Sequence, residues 1–270
     1  MFGPIARSCG DLRLLLQVLT LSTTAYRGVP GASMPRFSSP PDIVNLRIGL
    51  WLDDPMSPVD AAVSDVLLAA VERLADAGAQ IVEGARPSVD AESLHNTYMT
   101  LLSAEMSTAD SDDDWRSLAE LADGNWDQTD DPLLGHARRT TIPHRLWLAA
   151  DEARWKAVAA WTELFESVDC VLAPVSPVEP FPHATEIPYG KRTLSVNGEE
   201  LPYGNQLFWA GLATMPLLPA LAMPAGRTPG GLPIGMQLIG PAHSDHRLLS
   251  MGEEITSVLG NAFVAPPLVA

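Results

Sequence analysis

The sequence is poor in lysine and cysteine, and it lacks any long apolar run. Its 270 residues include two lysines, Lys156 and Lys191, and two cysteines, Cys9 and Cys170. A framework of several disulfides is therefore excluded, and this cysteine usage is typical of a reducing compartment. The sequence has no apolar stretch of about 18 residues and no recognisable signal peptide. We therefore expect no membrane span and a cytoplasmic location.

Positive charge is also scarce, since 33 acidic residues face 17 basic ones and the net charge is −16. Phosphate groups would be repelled, so we expect no nucleic-acid partner and no anionic membrane surface as a partner. The composition, 46% hydrophobic and 19% charged, is typical of a soluble globular protein with one sizeable core. We predict a single domain over residues 1–270.

Apolar periodicity predicts the α/β class. A strand over 46–51 is followed by a helix over 59–77, which ends at Gly78, and by a strand over 79–82. Strand, helix and strand with short links form a parallel crossover unit. Further elements are predicted in chain order as a long helix over 145–165, a buried strand over 168–173, a loop over 174–188, a short helix over 203–212, central strands over 217–223 and 234–239, and a last helix over 244–259.

Three motifs are spread along the chain. Gly3-Pro-Ile-Ala-Arg-Ser8 lies near the start, and Asp169-Cys-Val-Leu-Ala-Pro174 is followed by Phe181-Pro-His183. Near the end, the apolar segment over 211–226 precedes the run Gly231-Leu-Pro-Ile-Gly-Met-Gln-Leu-Ile-Gly-Pro241. In this order the motifs resemble the C-terminal part of the amidase signature family, serine hydrolases that cleave carboxamides. The resemblance implies a partial mixed sheet flanked by helices, a small carboxamide as substrate, and no metal or organic cofactor.

The catalytic region of that family has no match here. The resemblance implies a Ser–cis-Ser–Lys triad, whose lysine and Gly/Ser-rich stretch precede the segment that starts at Gly3. The nearest such stretch, Gly31-Ala-Ser-Met-Pro35, has one glycine and a proline. We therefore expect the C-terminal part of an amidase, without a catalytic residue and inactive alone. The alternative is a non-catalytic structural or binding subunit that pairs with a partner carrying the catalytic half.

Residues 89–141 carry no family motif, and the resemblance implies a variable insertion there. Within it, residues 105–131 hold ten acids and one arginine. We predict mainly helical structure with a solvated acidic face, and Asp112 to Asp114 suit a helix start. The alternative is an acidic lid over a pocket for a cationic substrate.

The substrate-pocket candidates are Gln206, Trp209 and His183. The first two belong to a segment that resembles a family region near the site, and His183 lies in the proline-rich loop. The ordinary alternative places Trp209 in the core and has Gln206 bond the backbone. The tryptophans of the helix over 145–165 are expected in the core.

Two further patterns could in principle support other chemistry. Cys9 at a helix start is expected to be a small buried residue, although a helix dipole can activate a thiol. His243 and His246 with Asp245 are expected to be surface residues at a helix cap, since no third metal ligand is placed. We therefore predict no metal site.

Overall fold

The computed structural model describes residues 3–21, 41–123 and 132–261. Its strands are β1 (Arg47–Leu50), β2 (Gln80–Val82), β3 (Cys170–Pro174), β4 (Thr193–Val196), β5 (Glu199–Pro202), β6 (Ala220–Arg227) and β7 (Pro233–Ile239). Five of them form a mixed sheet in the order β2-β1-β3-β7-β6, flanked by helices, which confirms the predicted class. The glycine-containing stretch over 31–35 lies outside the described residues.

The predicted parallel crossover unit is confirmed. Strand β1 pairs with β2 in parallel, with Arg47 opposite Gln80, and helix α2 (Ala61–Asp76) connects them. The Asp60 side chain caps α2 by accepting from the Ala62 amide, and Gly78 leaves the helix at φ +104°. The capped helix carries the chain back along the sheet, so the two short strands lie side by side and parallel at one end of the strand order.

Asp169 connects three elements at the start of β3. Its carboxylate accepts from the Arg47 amide at 2.9 Å, from Arg47 Nε at 3.3 Å and from Arg247 at 2.8 Å. Burial opposes ionisation, but the hydrogen bonds and charges of Arg47 and Arg247 outweigh it and hold the pKa of Asp169 below its ordinary value. The carboxylate therefore joins β1, β3 and the last helix.

The prediction of a central strand over 217–223 is wrong for the described sheet. Strand β6 starts at Ala220 and pairs with β7, and within the described residues its other edge has no strand beside it. Pro224 lies inside the strand at an irregular register, and proline cannot donate to a ladder. Strand β7, predicted over 234–239, does lie inside the sheet between β3 and β6.

Helices flank the sheet, and the longest of them is only partly buried. The long helix over 144–164 confirms the prediction of its position, but Trp155 and Leu148 are exposed at 56% and 50%, whereas Trp161 is fully buried. The expectation that all its tryptophans lie in the core is therefore wrong for Trp155. The helices are α1 (Cys9–Leu21), α2 (Ala61–Asp76), α3 (Ala91–Met106), α4 (Asp112–Ala122), α5 (Pro132–Thr140), α6 (His144–Leu164), α7 (Leu207–Thr214) and α8 (Asp245–Leu259).

The acidic region is helical where the structure describes it. Helix α4 begins at Asp112, with Ser111 as its N-cap, and the Asp112 and Asp113 side chains are 96% and 92% exposed. This exposure agrees with a solvated face, and residues 124–131 lie outside the described part of the chain. Among the described helices, none combines the length and apolar character that crossing a bilayer requires.

Candidate functional site

A small hairpin, which the sequence analysis did not predict, stands apart from the main sheet. Its strands β4 and β5 pair in antiparallel fashion. The turn between them is Asn197-Gly198, with φ values of 52° and 85°. Asn-Gly with two positive φ angles is the strongest short-range hairpin signal, and it marks this element in the sequence.

Asn197 anchors the hairpin to the start of α2. Its amide donates to Asp60 Oδ2 at 2.9 Å, and its side-chain Oδ1 accepts from the Ala61 amide at 2.8 Å. Its Nδ2 donates to the Val59 carbonyl at 3.2 Å. Because Oδ1 takes one of the free donors of a helix N-terminus, the turn residue also fixes the position of the hairpin.

A cavity of about 650 Å³ lies between this hairpin and the proline-rich loop. His183, the candidate from that loop, is exposed and lines the cavity. Acidic and basic groups both border it, so it has no single charge preference. The charged residues that line it are Asp60, Glu179, Lys191, Arg192 and Glu200.

Aromatic rings form one wall of this cavity. Tyr203 packs edge-on against Phe181 at 5.9 Å and against Tyr189 at 5.4 Å between ring centroids. Tyr189 packs behind Tyr203 and does not itself line the cavity; burial, with Tyr203 nearby, raises the pKa of its hydroxyl. An aromatic wall with a few polar groups is a common lining for sites that bind small molecules.

Gln206 and Trp209 do not line this cavity. Gln206 is half-buried at the start of α7 and its Nε2 donates to the Tyr203 carbonyl at 3.1 Å. Trp209 is fully buried and packs edge-on against Phe208 at 5.0 Å. Tyr203 connects the two regions, since its side chain borders the cavity and its carbonyl binds Gln206. The structure thus separates His183 from Trp209.

Gln237 is a buried polar residue whose role was not predicted from the sequence. It is 7% exposed, and its Nε2 donates to the Pro174 carbonyl at 2.9 Å and to the Trp209 carbonyl at 2.8 Å. It therefore joins β7 to the end of β3 and to α7. A polar side chain inside an otherwise apolar strand run was the available signal.

Both lysines lie in settings that do not suit a catalytic base. Lys156 pairs with Glu152 at 3.0 Å and its side chain is 73% exposed, and Lys191 is also exposed. A neutral lysine base requires burial, which lowers the pKa of the amine. These positions offer no such burial.

The other reactive groups are also poorly placed for catalysis. Burial, and then the charge of Glu253, raises the pKa of the half-buried Cys9 thiol, which opposes thiolate formation. His246 is buried at 5% exposure, and not at the surface as expected. Burial lowers its pKa. Within the ranges that the structure describes, no group of three His, Cys, Asp or Glu side chains is arranged to hold a metal.

Known proteins with similar sequences are amidases and related enzymes. The family model described as Amidase matches residues 1–249. One relative, from Natronomonas pharaonis, is a subunit of a glutamyl-tRNA(Gln) amidotransferase; it is 28% identical over 94% of this chain and 62% of its own length. The indoleacetamide hydrolase of Bradyrhizobium japonicum is 24% identical over 96% of this chain and 52% of its own.

Solved structures agree on the fold. A crystal structure described as an amidase superposes with a TM-score of 0.67 at 20% identity, over 96% of this chain and 52% of that chain. The chain spans about half the length of the curated relatives that it matches. Because the family model matches most of the sequence, and the fold agrees, the chain belongs to the amidase signature family.

Proposed function

We propose that this chain is the C-terminal part of an amidase that hydrolyses carboxamide C–N bonds through a serine acyl-enzyme. The observation that carries the proposal is the family match over residues 1–249. The exposure of Lys156 and Lys191 supports a further point, that the serine and lysine belong to sequence outside this chain. A cytoplasmic location is part of the same proposal.

In this reaction the serine oxygen attacks the amide carbonyl and the amine leaves with a proton. Water then attacks the acyl-enzyme ester and releases the carboxylic acid and the free serine. Oxyanion donors and a general base are needed in both steps. This chain would supply pocket walls, with His183 and Tyr203 at the open cavity and Gln206 bonded to the Tyr203 carbonyl. The buried Trp209 would contribute only through the packing of the core. Residues 89–141 would be the variable part.

The test is amide hydrolysis by the purified 270-residue chain and by the protein isolated from cells that produce it. With a simple aryl amide, the chain alone should show no serine-dependent turnover, because neither lysine is buried in a way that would activate a serine. The isolated native protein should hydrolyse amides and should lose activity with a serine-directed inhibitor. An intact mass well above 28.9 kDa would indicate that the missing residues belong to the same polypeptide. A bound second chain would indicate that they belong to a partner.

Turnover by the 270-residue chain alone, blocked by the inhibitor, would overturn the placement of the nucleophile.

The second candidate function is a non-catalytic subunit that pairs with a partner carrying the catalytic half. One relative is by its name a subunit of an amidotransferase, which supports a multi-chain assembly. A separate partner that alone reacts with the serine-directed inhibitor, and whose activity is unchanged without this chain, would favour that candidate.

A further inference from the structure

Arg192 places an unpaired guanidinium at the cavity between the hairpin and the proline-rich loop. Its Nε donates to the Ile187 carbonyl at 2.7 Å, and its Cζ lies 5.8 Å from the centroid of the Tyr203 ring. The side chain is half-buried and lines the cavity. Among the described residues, its two Nη groups have no acceptor and form no ion pair. The guanidinium is therefore held in position, while the groups that bind carboxylates in pairs are free.

The backbone at Arg192 is also fixed. Its amide donates to the Tyr189 carbonyl at 3.2 Å, and its carbonyl accepts from the Tyr203 amide at 3.0 Å. The second of these bonds lies directly beyond the last residue pair of β4 and β5. Since Asn197 anchors the same hairpin to the start of α2, the arginine belongs to a braced element. A group that is held before binding loses less entropy when a ligand arrives.

The charged residues of the cavity differ in whether they already have partners. Asp60 accepts from the amides of Ala62 and Asn197 at 3.0 and 2.9 Å, at a helix start where the dipole offsets its charge. Glu200 accepts from a threonine hydroxyl of β4. Glu179 is half-buried and forms no ion pair within the described residues, so it would repel a second negative charge. The free groups therefore suit a single carboxylate and oppose a phosphate or a dicarboxylate.

An apolar surface lies beside the guanidinium. The Phe181 side chain is 45% exposed, and its ring packs edge-on against the half-buried Tyr203 at 5.9 Å. Val178 and Leu194, buried members of a small apolar cluster that Tyr203 joins, also line the cavity. A cavity of about 650 Å³ is within the size range of small-molecule sites. A ligand with an apolar body could cover these rings while its carboxylate reaches Arg192.

We propose that this cavity binds a carboxamide substrate that also carries one carboxylate, joined to the amide by an apolar body. The Nη groups of Arg192 would donate to the carboxylate, and the exposed Lys191, which lines the same cavity, would add a second positive charge. The apolar body would lie against Phe181 and Tyr203. The proposal rests on the function proposed above, since residues outside this chain would cleave the amide.

The first experiment measures binding to the 270-residue chain by titration calorimetry. The probes are 3-phenylpropionate and 3-phenylpropan-1-ol, which share a ring and a three-carbon chain and differ in the carboxylate. The acid should bind about tenfold more tightly, because a bidentate arginine pair is lost with the alcohol. Raising NaCl from about 0.05 M to about 0.5 M should weaken binding of the acid alone. Equal affinities, or no binding of the acid at about 10 mM, would overturn the proposal.

Variants locate the carboxylate. Arg192→Gln should lower the affinity for the acid to that for the alcohol, and Arg192→Lys, which keeps the charge without the fork, should be intermediate. The matched control is Arg227→Gln, which should change neither affinity. Arg227 also donates to a backbone carbonyl, at 2.8 Å, but it is exposed and does not line this cavity. A tenfold preference for the acid that persists in Arg192→Gln would overturn the assignment.

Phe181→Ala tests the apolar wall and should weaken the acid and the alcohol by similar factors, because it removes a ring that both would cover. Amide hydrogen exchange in the hairpin shows whether Arg192→Gln keeps its structure, since that variant also loses the bond to Ile187. If the hairpin loosens, the comparison of acid with alcohol in the unaltered chain still decides. Binding of both probes that is unaffected by Phe181→Ala would contradict the placement of the apolar body.

The last experiment asks whether the ligand is the substrate. The native protein, isolated from cells that produce it, is given succinanilate and butyranilide, two anilides that differ by a carboxylate in place of a methyl group. We expect kcat/KM to be about tenfold higher for succinanilate. Equal values would overturn the assignment to the substrate.

The two kinds of assay separate this proposal from the proposed function. Preferred binding of the acid by the chain, without serine-dependent hydrolysis by the native protein, would mean that the proposed function fails and the carboxylate site stands. Serine-dependent hydrolysis of both anilides, without a preference for the carboxylate in binding or in turnover, would mean that the function stands and the carboxylate site fails.

Discussion

Gln237 is the residue whose replacement tests most directly how the site region is held. Gln237→Leu should lower the free energy of unfolding by about 2–4 kcal/mol, because two buried carbonyls lose their donor. Those carbonyls belong to Pro174 and Trp209. Gln206→Leu is the control, since it removes one half-buried bond and should cost about 1 kcal/mol or less. Denaturant unfolding measures both, and equal losses would contradict the joining role of Gln237.

The free energy of unfolding should depend on pH through Asp169. Its folded pKa is lowered, so its contribution is present above the unfolded value near 3.9 and is lost as the pH falls through the folded value. Asp169→Asn should therefore lose about 1–2 kcal/mol at pH 7, where its partners are partly exposed. The loss should shrink below about pH 4.

The matched control for this residue is Asp112→Asn, whose side chain is 96% exposed. Unfolding at a series of pH values should show no such trend for the control. An Asp169→Asn chain whose deficit stays constant from neutral to strongly acidic pH would rule out the linkage.

The exposure of single residues could be predicted from the sequence in some cases and not in others. The pattern indicated His183 in an extended loop, and it is exposed on a cavity. The sequence pattern could not decide whether Trp209 lines a pocket or lies in the core, because tryptophan is common in both places. Its complete burial depends on α7 packing against the rest of the core, which no local pattern encodes.

At the scale of elements, the β4–β5 hairpin depends on Asn197. Asn197→Ala removes its side-chain bonds to Ala61 and Val59 and leaves alanine at a φ of 52°, at a cost of about 1–2 kcal/mol. We expect faster hydrogen exchange in the hairpin, with the main sheet unchanged. Asn197→Gly relieves the backbone but loses the same bonds, so its exchange should be intermediate. Unaltered hairpin exchange in Asn197→Ala would disprove the anchoring role.

The elements that were predicted well are those with strong local signals. The unit β1–α2–β2 was predicted from its apolar periodicity and from Gly78, and the structure adds that Asp60 caps the helix, which begins at Ala61 and not at residue 59. Helix α6 was placed correctly, but the side that contacts the core was only partly identified. Its apolar arc is wider than the surface that the core covers, so Trp155 is left exposed.

For the whole molecule, the order of the strands decides which strand lies at the edge of the sheet. Within the described residues the sheet ends at β6, and an apolar groove lined by the segment before α1, by α1, by α8 and by β6 adjoins that strand. The chain spans about half the length of its relatives. Comparing amide hydrolysis by the 270-residue chain with hydrolysis by the native protein therefore tests whether the catalytic residues lie outside this chain.

The sequence by itself determined the class, the positions of most helices and strands, and the family, because these depend on local periodicity and on short motifs. Only the tertiary structure decided that β6 lies at the edge of the described sheet, that Gln237 bridges two carbonyls, and that Cys9 and the two lysines lack the setting of a catalytic group. Those properties depend on which distant segments come together, and pairing partners and burial are not encoded in any single stretch of residues.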